Sequence, residues 1–148
     1  MRAVVTRVTS ASVSISGETA GEIKSGLLIL LGVKDSDGVQ EAEKLASKIT
    51  DLRIFEDEGG KMNLSLEQIG GEILVVSQFT LLGTCKKGRR PEFTSAARPD
   101  TAIPLYEYFI LLCRDAGFHV ETGRFGADMQ VKSCNDGPVT LILDTETL

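Results

Sequence analysis

Hydrophobic and polar residues alternate with a period of two over much of the chain. This alternation predicts one strand over 3–8 and a second over 12–16, followed by a turn at 17–21. The uninterrupted apolar segment 26–33 predicts a strand that is buried on both faces. Further strands are predicted over 52–55, 72–81, 118–122, 129–134 and 139–143.

Two other segments have apolar residues at helical spacing. A helix of about three turns is predicted over 38–50, after the Asp-Ser-Asp-Gly cluster at 35–38. A second helix is predicted to start at Asp100, with Pro104 in its first turn, and to stop at Gly117. The predicted buried stripes are Val39, Ala42, Leu45, Ala46 and Ile49 on the first helix, and Leu105, Tyr108, Phe109, Leu112, Cys113 and Ala116 on the second. Many strands and two helices without regular alternation favour a mixed α+β domain over a doubly wound one.

Length and composition favour a single globular domain over 1–148. The 148 residues are 42% hydrophobic and 25% charged, which suffices for a core without disulfides. No apolar run approaches the roughly 20 residues that span a bilayer. Because the N-terminal residues also lack the features of a secretory signal, we expect a cytoplasmic protein that does not enter a membrane. The three cysteines have no C-x-x-C spacing, which argues against a disulfide framework and against a zinc site.

Positive charge is concentrated in one segment of an acidic chain, whose net charge is −5. The segment 83–98 contains the basic residues Lys86, Lys87, Arg89, Arg90 and Arg98 and the single acid Glu92. Such a cluster is suited to contact the phosphates of a nucleic acid. A loop that simply stays hydrated is the alternative.

Few residues suggest nucleophilic catalysis. The only histidine, His119, lies in a predicted strand with no sign of a triad around it, so we interpret it as structural. Cys85 has basic neighbours that favour a thiolate and is a candidate nucleophile, whereas Cys113 is predicted to lie in the core. The common metal and nucleotide motifs are absent from the sequence, so neither a metal nor a cofactor is indicated.

Polar residues end an otherwise apolar strand at "VSQFTL", residues 76–81. Backbone N–H groups at such a point can form an oxyanion hole, and the hydroxyls of Ser77 and Thr80 can orient substrate or water. Hydrogen bonding of these hydroxyls to their own backbone is the alternative. At "NDGPVT", residues 135–140, the local composition is typical of a turn that precedes a strand.

Together these two motifs resemble the paired signature of the D-aminoacyl-tRNA deacylases. The similarity extends in order through "RVTSASV" from residue 7, "GLLILLGV" from 26, "KMNLS" from 61, "GRRPEF" from 88 and "TGRFGADMQV" from 122. It therefore covers nearly the whole chain. The resemblance implies a homodimer of three-layer α/β subunits (a ββα sandwich), with two main helices, curved, barrel-like mixed sheets and active sites at the subunit interface.

The resemblance also implies an activity and a substrate. The expected reaction hydrolyses the ester between a D-amino acid, or glycine, and the terminal adenosine of tRNA. D-aminoacyl-tRNA is thus the expected partner, with no cofactor, no membrane and no DNA. The expected product is uncharged tRNA that can be used again.

Site residues follow from the resemblance position by position. The backbone amides of Phe79 and Thr80 are expected to stabilise the oxyanion, while Ser77 and Gln78 shape the pocket. A bound water helped by the ribose hydroxyl is the expected nucleophile, because no base adjoins Thr80 in the sequence; the Thr80 hydroxyl is the alternative nucleophile. A cis Gly137–Pro138 dipeptide, braced by Arg7, is expected to enter the partner subunit's site and to exclude L side chains. The residues expected to contact the adenosine or the tRNA are Phe125, Met129, Lys86, Lys87, Arg89 and Arg90. For Phe125 and Met129, packing in the core is the alternative.

Two other functions are compatible with the residues alone. A non-catalytic RNA-binding module would use the same basic loop and would bind tRNA without turnover. A cysteine-dependent hydrolase would use Cys85 and would be sensitive to thiol alkylation.

Overall fold

The computed structural model describes residues 1–86 and 88–148; Lys87 lies outside the described residues. Its α-helices are α1 (Val39–Thr50) and α2 (Pro99–Asp115), and a short 3-10 helix spans Phe79–Leu82. The strands of the described chain are β1 (Arg2–Ile15), β2 (Glu18–Ile23), β3 (Gly26–Gly32), β4 (Phe55–Glu56), β5 (Met62–Leu64), β6 (Glu72–Ser77), β7 (Val120–Thr122) and β8 (Gln130–Asp144).

Six of these strands form one strongly curved mixed sheet. β1 pairs antiparallel with β8 along one edge, and along its other edge first with β3 and then with β2. The order continues from β3 to β6 and β7 through parallel pairs. The sheet curls until β2 approaches β7, since a Cβ on Gly21 would lie 2.9 Å from the main-chain oxygen of Thr122. The expected barrel-like curvature is therefore present.

The central strands bury both faces because each side of the sheet has its own core. On β3, Leu27, Ile29 and Leu31 face the core that the two helices cover, whereas Leu28 faces the interior of the curled sheet. β6 divides in the same way, with Ile73 and Val75 on one side and Leu74 and Val76 on the other. Helices, sheet and curled-over sheet thus make three layers, and the prediction of a strand buried on both faces is confirmed.

The first hairpin differs from the prediction. The segments 3–8 and 12–16 are one strand, and the connection to β2 is the tight Ser16-Gly17 turn, with φ of 51° and 82°. Positive φ at both turn residues is the geometry that matches the twist of a two-residue hairpin. Residues 18–21, predicted as turn, therefore begin β2. The predicted strand 52–55 is also displaced, because the observed pair is β4 with β5 across the Gly59-Gly60 turn.

Both helices are present, with different details. α1 buries Ala42, Leu45, Ala46 and Ile49, but Val39 is 53% exposed and does not belong to the stripe. α2 starts at Pro99, one residue before the predicted start, with Arg98 as its N-cap, so Pro104 lies in the second turn and not in the first. Its end before Gly117 is as predicted, and its buried residues are Ala102, Leu105, Tyr106, Phe109, Ile110 and Cys113.

The last part of the chain contains one strand where the pattern predicts two. β8 runs from Gln130 to Asp144 through the Gly137–Pro138 dipeptide, whose peptide bond is cis. β6, in contrast, ends four residues before the predicted position, and the 3-10 helix takes the chain out of the sheet. Among the described residues, no helix has the length and hydropathy needed to cross a membrane.

Candidate functional site

A cavity of about 300 Å³ lies where β6 ends. One wall is the segment Ser77-Gln78-Phe79, and the opposite wall is the segment 125–129 that follows β7. Side chains of β3, of Val33 just after it and of α2 also line the cavity, among them Leu31, Ala102 and Tyr106. The structure therefore brings Ser77, Gln78 and Phe79 to the same cavity as Phe125 and Met129, and the binding of substrate by these residues stays a prediction.

The turn of the chain after Ser77 leaves two backbone amides without an acceptor in the described structure, and the first of them belongs to Phe79, which lines this cavity. Gln78 N still donates to the main-chain oxygen of Leu31 at 2.7 Å, which extends the sheet by one bond. The following residues, Phe79 and Thr80, start the 3-10 helix, and their N–H groups find no acceptor within the described chain. Unpaired amides at the first turn of a helix are positively polarised and are suited to an oxyanion.

The Thr80 hydroxyl has no general base as a partner in the described structure. Its hydroxyl oxygen accepts a hydrogen bond from the Gln78 side-chain amide, and Thr80 is exposed. An amide N–H group is a donor and does not remove a proton. Thr80 is also absent from the described lining of the cavity, whereas Ser77, Gln78 and Phe79 line it.

Tyr106 supports the opposite wall. Its hydroxyl donates to the main-chain oxygen of Val75 at 3.1 Å, and its ring packs edge-on against Phe125 with centroids 5.8 Å apart. Burial raises the pKa of Tyr106 to about 12, so the phenol stays protonated and keeps this bond. Gly123 makes room for Met129, because a Cβ there would lie 2.5 Å from the Met129 sulfur.

The Gly137–Pro138 dipeptide lies in a bulge on β8, apart from this cavity. Thr6 of β1 pairs with Thr140 of β8, and Val8 pairs with Asn135. Between these two pairs β1 has one residue, Arg7, whereas β8 has four, 136–139. Asn135 closes the bulge, since its Oδ1 accepts from Val139 N and its Nδ2 donates to Thr140 Oγ1. Both residues of the dipeptide are exposed, and neither lines the cavity of its own chain in the described structure.

Arg7 lies beneath the bulge and is 3% exposed. It donates to the main-chain oxygens of Asp136 at 3.1 Å and of Ile54 at 2.7 Å. Its guanidinium also lies 3.1 Å from the Asp136 carboxylate and 3.6 Å from that of Glu56. Arg7 therefore contacts the main chain of the residue that precedes Gly137–Pro138; its role as a brace stays a prediction.

The basic loop projects from the other end of the 3-10 helix. A bridge between Thr84 and Glu92, with N–H···O distances of 2.9 and 3.0 Å, closes its base. Lys86, Arg89 and Arg90 are all exposed on this loop. Lys87, which is also predicted to contact tRNA, lies outside the described residues. Lys86 also borders a second cavity beside Arg2 and Lys34.

The other candidate nucleophiles are not at the cavity. Cys85 is exposed on the basic loop and is absent from the described cavity lining. Cys113 is fully buried, as predicted, and burial raises its pKa to about 12. His119 is exposed, and its Nε2 lies 3.1 Å from Glu121 Oε1. In the described part of the chain, no three potential metal ligands cluster.

Sequence reasoning missed Tyr106 and chose Tyr108 for the buried stripe. Tyr108 is half-buried and donates to Glu43 instead. Tyr106 could have been found from the sequence, because Ala102, Tyr106, Phe109 and Cys113 are also spaced at three or four residues. This spacing fits the helical period as well as that of the predicted stripe. No comparable pattern in the sequence indicated Asp128, which also lines the cavity.

Comparison with known proteins assigns the chain to a family. The family model described as D-Tyr-tRNA(Tyr) deacylase matches residues 4–144. A relative named D-aminoacyl-tRNA deacylase, from Bacillus licheniformis, is 59% identical over 146 residues, which are 99% of each chain. The chain belongs to the D-Tyr-tRNA(Tyr) deacylase family. As a member of this deacylase family it is a hydrolase.

Two solved structures are similar to this deacylase-family chain. One, titled "c-Myc DNA Unwinding Element Binding Protein", has a TM-score of 0.91 and 42% identity and covers 97% of this chain and 98% of its own. The other, titled as a probable eukaryotic D-amino acid tRNA deacylase, has a TM-score of 0.81 at 18% identity and covers 96% and 97%. The second likeness concerns the fold, and the expected three-layer architecture is confirmed.

Proposed function

We propose that the protein hydrolyses the ester that joins a D-amino acid, or glycine, to the terminal adenosine of tRNA. Water adds to the ester carbonyl, the bond to the ribose oxygen breaks, and free amino acid and reusable tRNA leave. The observation that carries the proposal is that Phe79, whose N–H group has no acceptor in the described chain, lines the same cavity as Phe125 and Met129. A single deacylase domain over 1–148, acting in the cytoplasm, completes the proposal.

The amides of Phe79 and Thr80 supply the chemistry. They polarise the ester carbonyl and then stabilise the tetrahedral oxyanion, at about 3 kcal/mol for each donor. A bound water, helped by the adjacent ribose hydroxyl, is the nucleophile, because the partner of the Thr80 hydroxyl is the donor Gln78. Ser77 and Gln78 give the cavity its polar wall.

The terminal adenine lies between Phe125 and Met129 in this proposal. An aromatic ring and a thioether bind a base without reading its sequence, which suits a nucleotide common to every tRNA. The contact of Tyr106 with the Phe125 ring supports this use, because it fixes the ring before the substrate arrives.

The discrimination against L-amino acids is assigned to the Gly137–Pro138 dipeptide of a second copy. Two features support a homodimer with shared sites: the bulge is exposed away from its own cavity, and β8 pairs only with β1 in the described structure. Main-chain carbonyls of the inserted dipeptide would hold the substrate's α-amine and leave no space for an L side chain. A backbone surface discriminates geometry and accepts many D side chains.

The basic loop is assigned to the tRNA backbone. Lys86, Arg89 and Arg90 are exposed on the element that directly follows the 3-10 helix, so they lie next to the reacting end of the substrate. Lys87 is included from the sequence alone.

The test is deacylation of D-tyrosyl-tRNA beside L-tyrosyl-tRNA, each corrected for spontaneous hydrolysis. We expect rapid release of D-tyrosine and an L rate close to the uncatalysed one. Hydrolysis of neither ester, or of both alike, would refute the proposal.

A nucleic-acid-binding module without catalysis is the second candidate. The solved structure that is 42% identical is titled as a DNA-element-binding protein, which favours this alternative. It predicts that the protein binds D-tyrosyl-tRNA in a mobility-shift assay and leaves the ester intact. Our expectation is turnover, with no preference for DNA.

A further inference from the structure

The side chain of Phe79 extends into solvent at the mouth of the cavity and is 54% exposed. One side of its ring contacts Phe93 of the basic loop, with centroids 5.1 Å apart and planes inclined by 69°. We infer that this aromatic pair is a platform on which the base of the nucleotide preceding the terminal adenosine stacks. The inference rests on the proposed function and gives the Phe79 side chain a role separate from that of its amide.

The position of the pair fits a nucleic-acid strand that enters the cavity. If the terminal adenosine occupies the cavity, the preceding nucleotide lies at its mouth, where Phe79 is exposed. The cations Lys86, Arg89 and Arg90 follow on the loop that also carries Phe93. A strand that connects the cavity to these cations therefore passes the aromatic pair. Aromatic faces beside positive charge are the usual means by which proteins hold single strands.

Local structure holds the pair in place before any ligand binds. Phe93 adjoins the Thr84–Glu92 bridge, and its main-chain oxygen accepts from Ala96 N at 3.0 Å. Gly83 leaves space for the ring, since a Cβ there would lie 2.8 Å from Phe93 Cε1. The inclined arrangement keeps Phe93 at the side of Phe79 and leaves a broad part of the Phe79 surface exposed. A fixed, exposed ring loses little entropy when a base stacks on it.

Exposed phenylalanines also occur singly without a function. Phe79 differs because it combines a cavity mouth, a supporting aromatic and a basic loop, in a chain with only six phenylalanines and two tyrosines. The other occupant to consider is the second copy of the chain, and the experiment separates the two.

A double-mutant cycle between the ring and the base tests the inference. The substrates are D-tyrosyl esters of cytidylyl-adenosine and of the same dinucleotide with an abasic first position. The enzymes are wild type and Phe79→Leu, which keeps the backbone amide. We expect the cytosine base to raise kcat/KM about tenfold in wild type and less than about twofold in Phe79→Leu. Phe79→Trp should restore the effect, and Val39→Ala, another exposed apolar residue, should leave it intact.

An equal base effect in wild type and Phe79→Leu would overturn the inference. If Phe79→Leu also shifted the sedimentation of the protein towards monomer, the second copy would be the partner of the ring. If wild type hydrolysed none of the D-tyrosyl esters, including D-tyrosyl-tRNA, the proposed function itself would fail. If wild type hydrolysed D-tyrosyl-tRNA but the cytosine base of the dinucleotide ester did not change kcat/KM, only the inference of a stacking platform would fail.

Discussion

Arg7 Nε donates a hydrogen bond to the main-chain oxygen of Asp136 across 3.1 Å and so ties the middle of β1 to the bulge of β8. The same guanidinium donates to the main-chain oxygen of Ile54 at 2.7 Å. Because Arg7 is almost fully buried, these oxygens replace the water that it has lost. The forked side chain of Arg7 and the amide of Asn135 thus both hold the bulge that contains the Gly137–Pro138 dipeptide.

Replacing Arg7 by lysine keeps the charge and removes the fork. We expect Arg7→Lys to lower the free energy of unfolding by about 2 kcal/mol, since a buried carbonyl loses its donor. We also expect kcat/KM for D-tyrosyl-tRNA to fall at least about tenfold, because the displaced bulge misplaces the substrate. Urea unfolding and the deacylation assay measure the two effects. Arg53→Lys is the control, because Arg53 is an exposed arginine that donates to the Asn63 main-chain oxygen. Its free energy of unfolding and its kcat/KM should stay near wild type. Wild-type values of both quantities in Arg7→Lys would contradict the role of a brace.

Gly137 offers a second test of the bulge. Its φ is 123°, and a Cβ there would lie 2.8 Å from Val139 Cγ2 and 3.0 Å from Arg7 Nη2. Gly60 is the matched control, because its φ is also positive, at 74°, but a Cβ added there would have no atom within 4 Å. Gly60→Ala should therefore cost only about 1 kcal/mol, for the unfavourable backbone conformation. We expect Gly137→Ala to be less stable than Gly60→Ala in urea and to lose deacylation, which Gly60→Ala keeps. Equal behaviour of the two variants would mean that the bulge tolerates the contacts.

A strand could be predicted from the sequence where the hydrophobic pattern of its own segment shows how it is buried. The run 26–33 has no polar interruption, because cores lie on both of its sides, and it reads as a buried strand without further knowledge. The union of 3–8 and 12–16 into β1 was not predictable in this way. Residues Thr9 and Ser10 are exposed on a strand that continues past them, since β8 pairs with β1 on both sides of the bulge and no local signal reports that partner.

The site was predictable in part for the same reason. Polar residues at the end of an apolar strand marked Ser77 and Gln78, because the chain leaves the sheet there. The contact of Arg7 with Asp136 was not visible from the residues alone, since the two are 129 residues apart along the chain. Only the resemblance placed Arg7 beside the Gly137–Pro138 dipeptide. The contact of Phe79 with Phe93 depends equally on a tertiary turn that no spacing encodes.

Thr80 separates two mechanisms. Its hydroxyl accepts from the Gln78 amide and has no base beside it in the described structure, so we expect Thr80→Ala to keep kcat within about threefold of wild type. Single-turnover deacylation of D-tyrosyl-tRNA measures this, with Thr80→Ser as the control that retains the hydroxyl. Loss of turnover in Thr80→Ala together with its recovery in Thr80→Ser would make Thr80 the nucleophile and would exclude the direct attack of water.

Asp144 predicts how stability depends on pH. Burial alone raises the pKa of its carboxyl, but hydrogen bonds from the Glu146 amide, Lys34 and Arg2 outweigh burial and hold it below the usual 3.8. A folded pKa below the unfolded one contributes stability that is complete above about pH 4 and is lost as the pH falls through the folded pKa. We expect Asp144→Asn to lose about 3 kcal/mol near neutral pH, where Lys34 and Arg2 lose a partner, and to show a shallower decline in acid.

Urea unfolding of wild type and Asp144→Asn at a series of pH values measures this difference. The exposed carboxylate of Asp35 supplies the control, because Asp35→Asn removes the same charge without removing a buried partner. Parallel acid curves for wild type and Asp144→Asn would show that Asp144 does not carry the acid dependence.

The salt dependence of tRNA binding tests the basic loop. Each phosphate contact contributes a slope of about −0.7 to −0.9 in a plot of log K against log salt. We therefore expect Arg89→Gln and Arg90→Gln each to flatten the slope by about this amount, because both side chains are exposed on the loop that follows the 3-10 helix. Lys48→Gln, with the same change of charge in the last turn of α1, should leave the slope unchanged. Equal flattening in all three variants would indicate a general effect of net charge, and none in the arginine variants would place the tRNA backbone elsewhere.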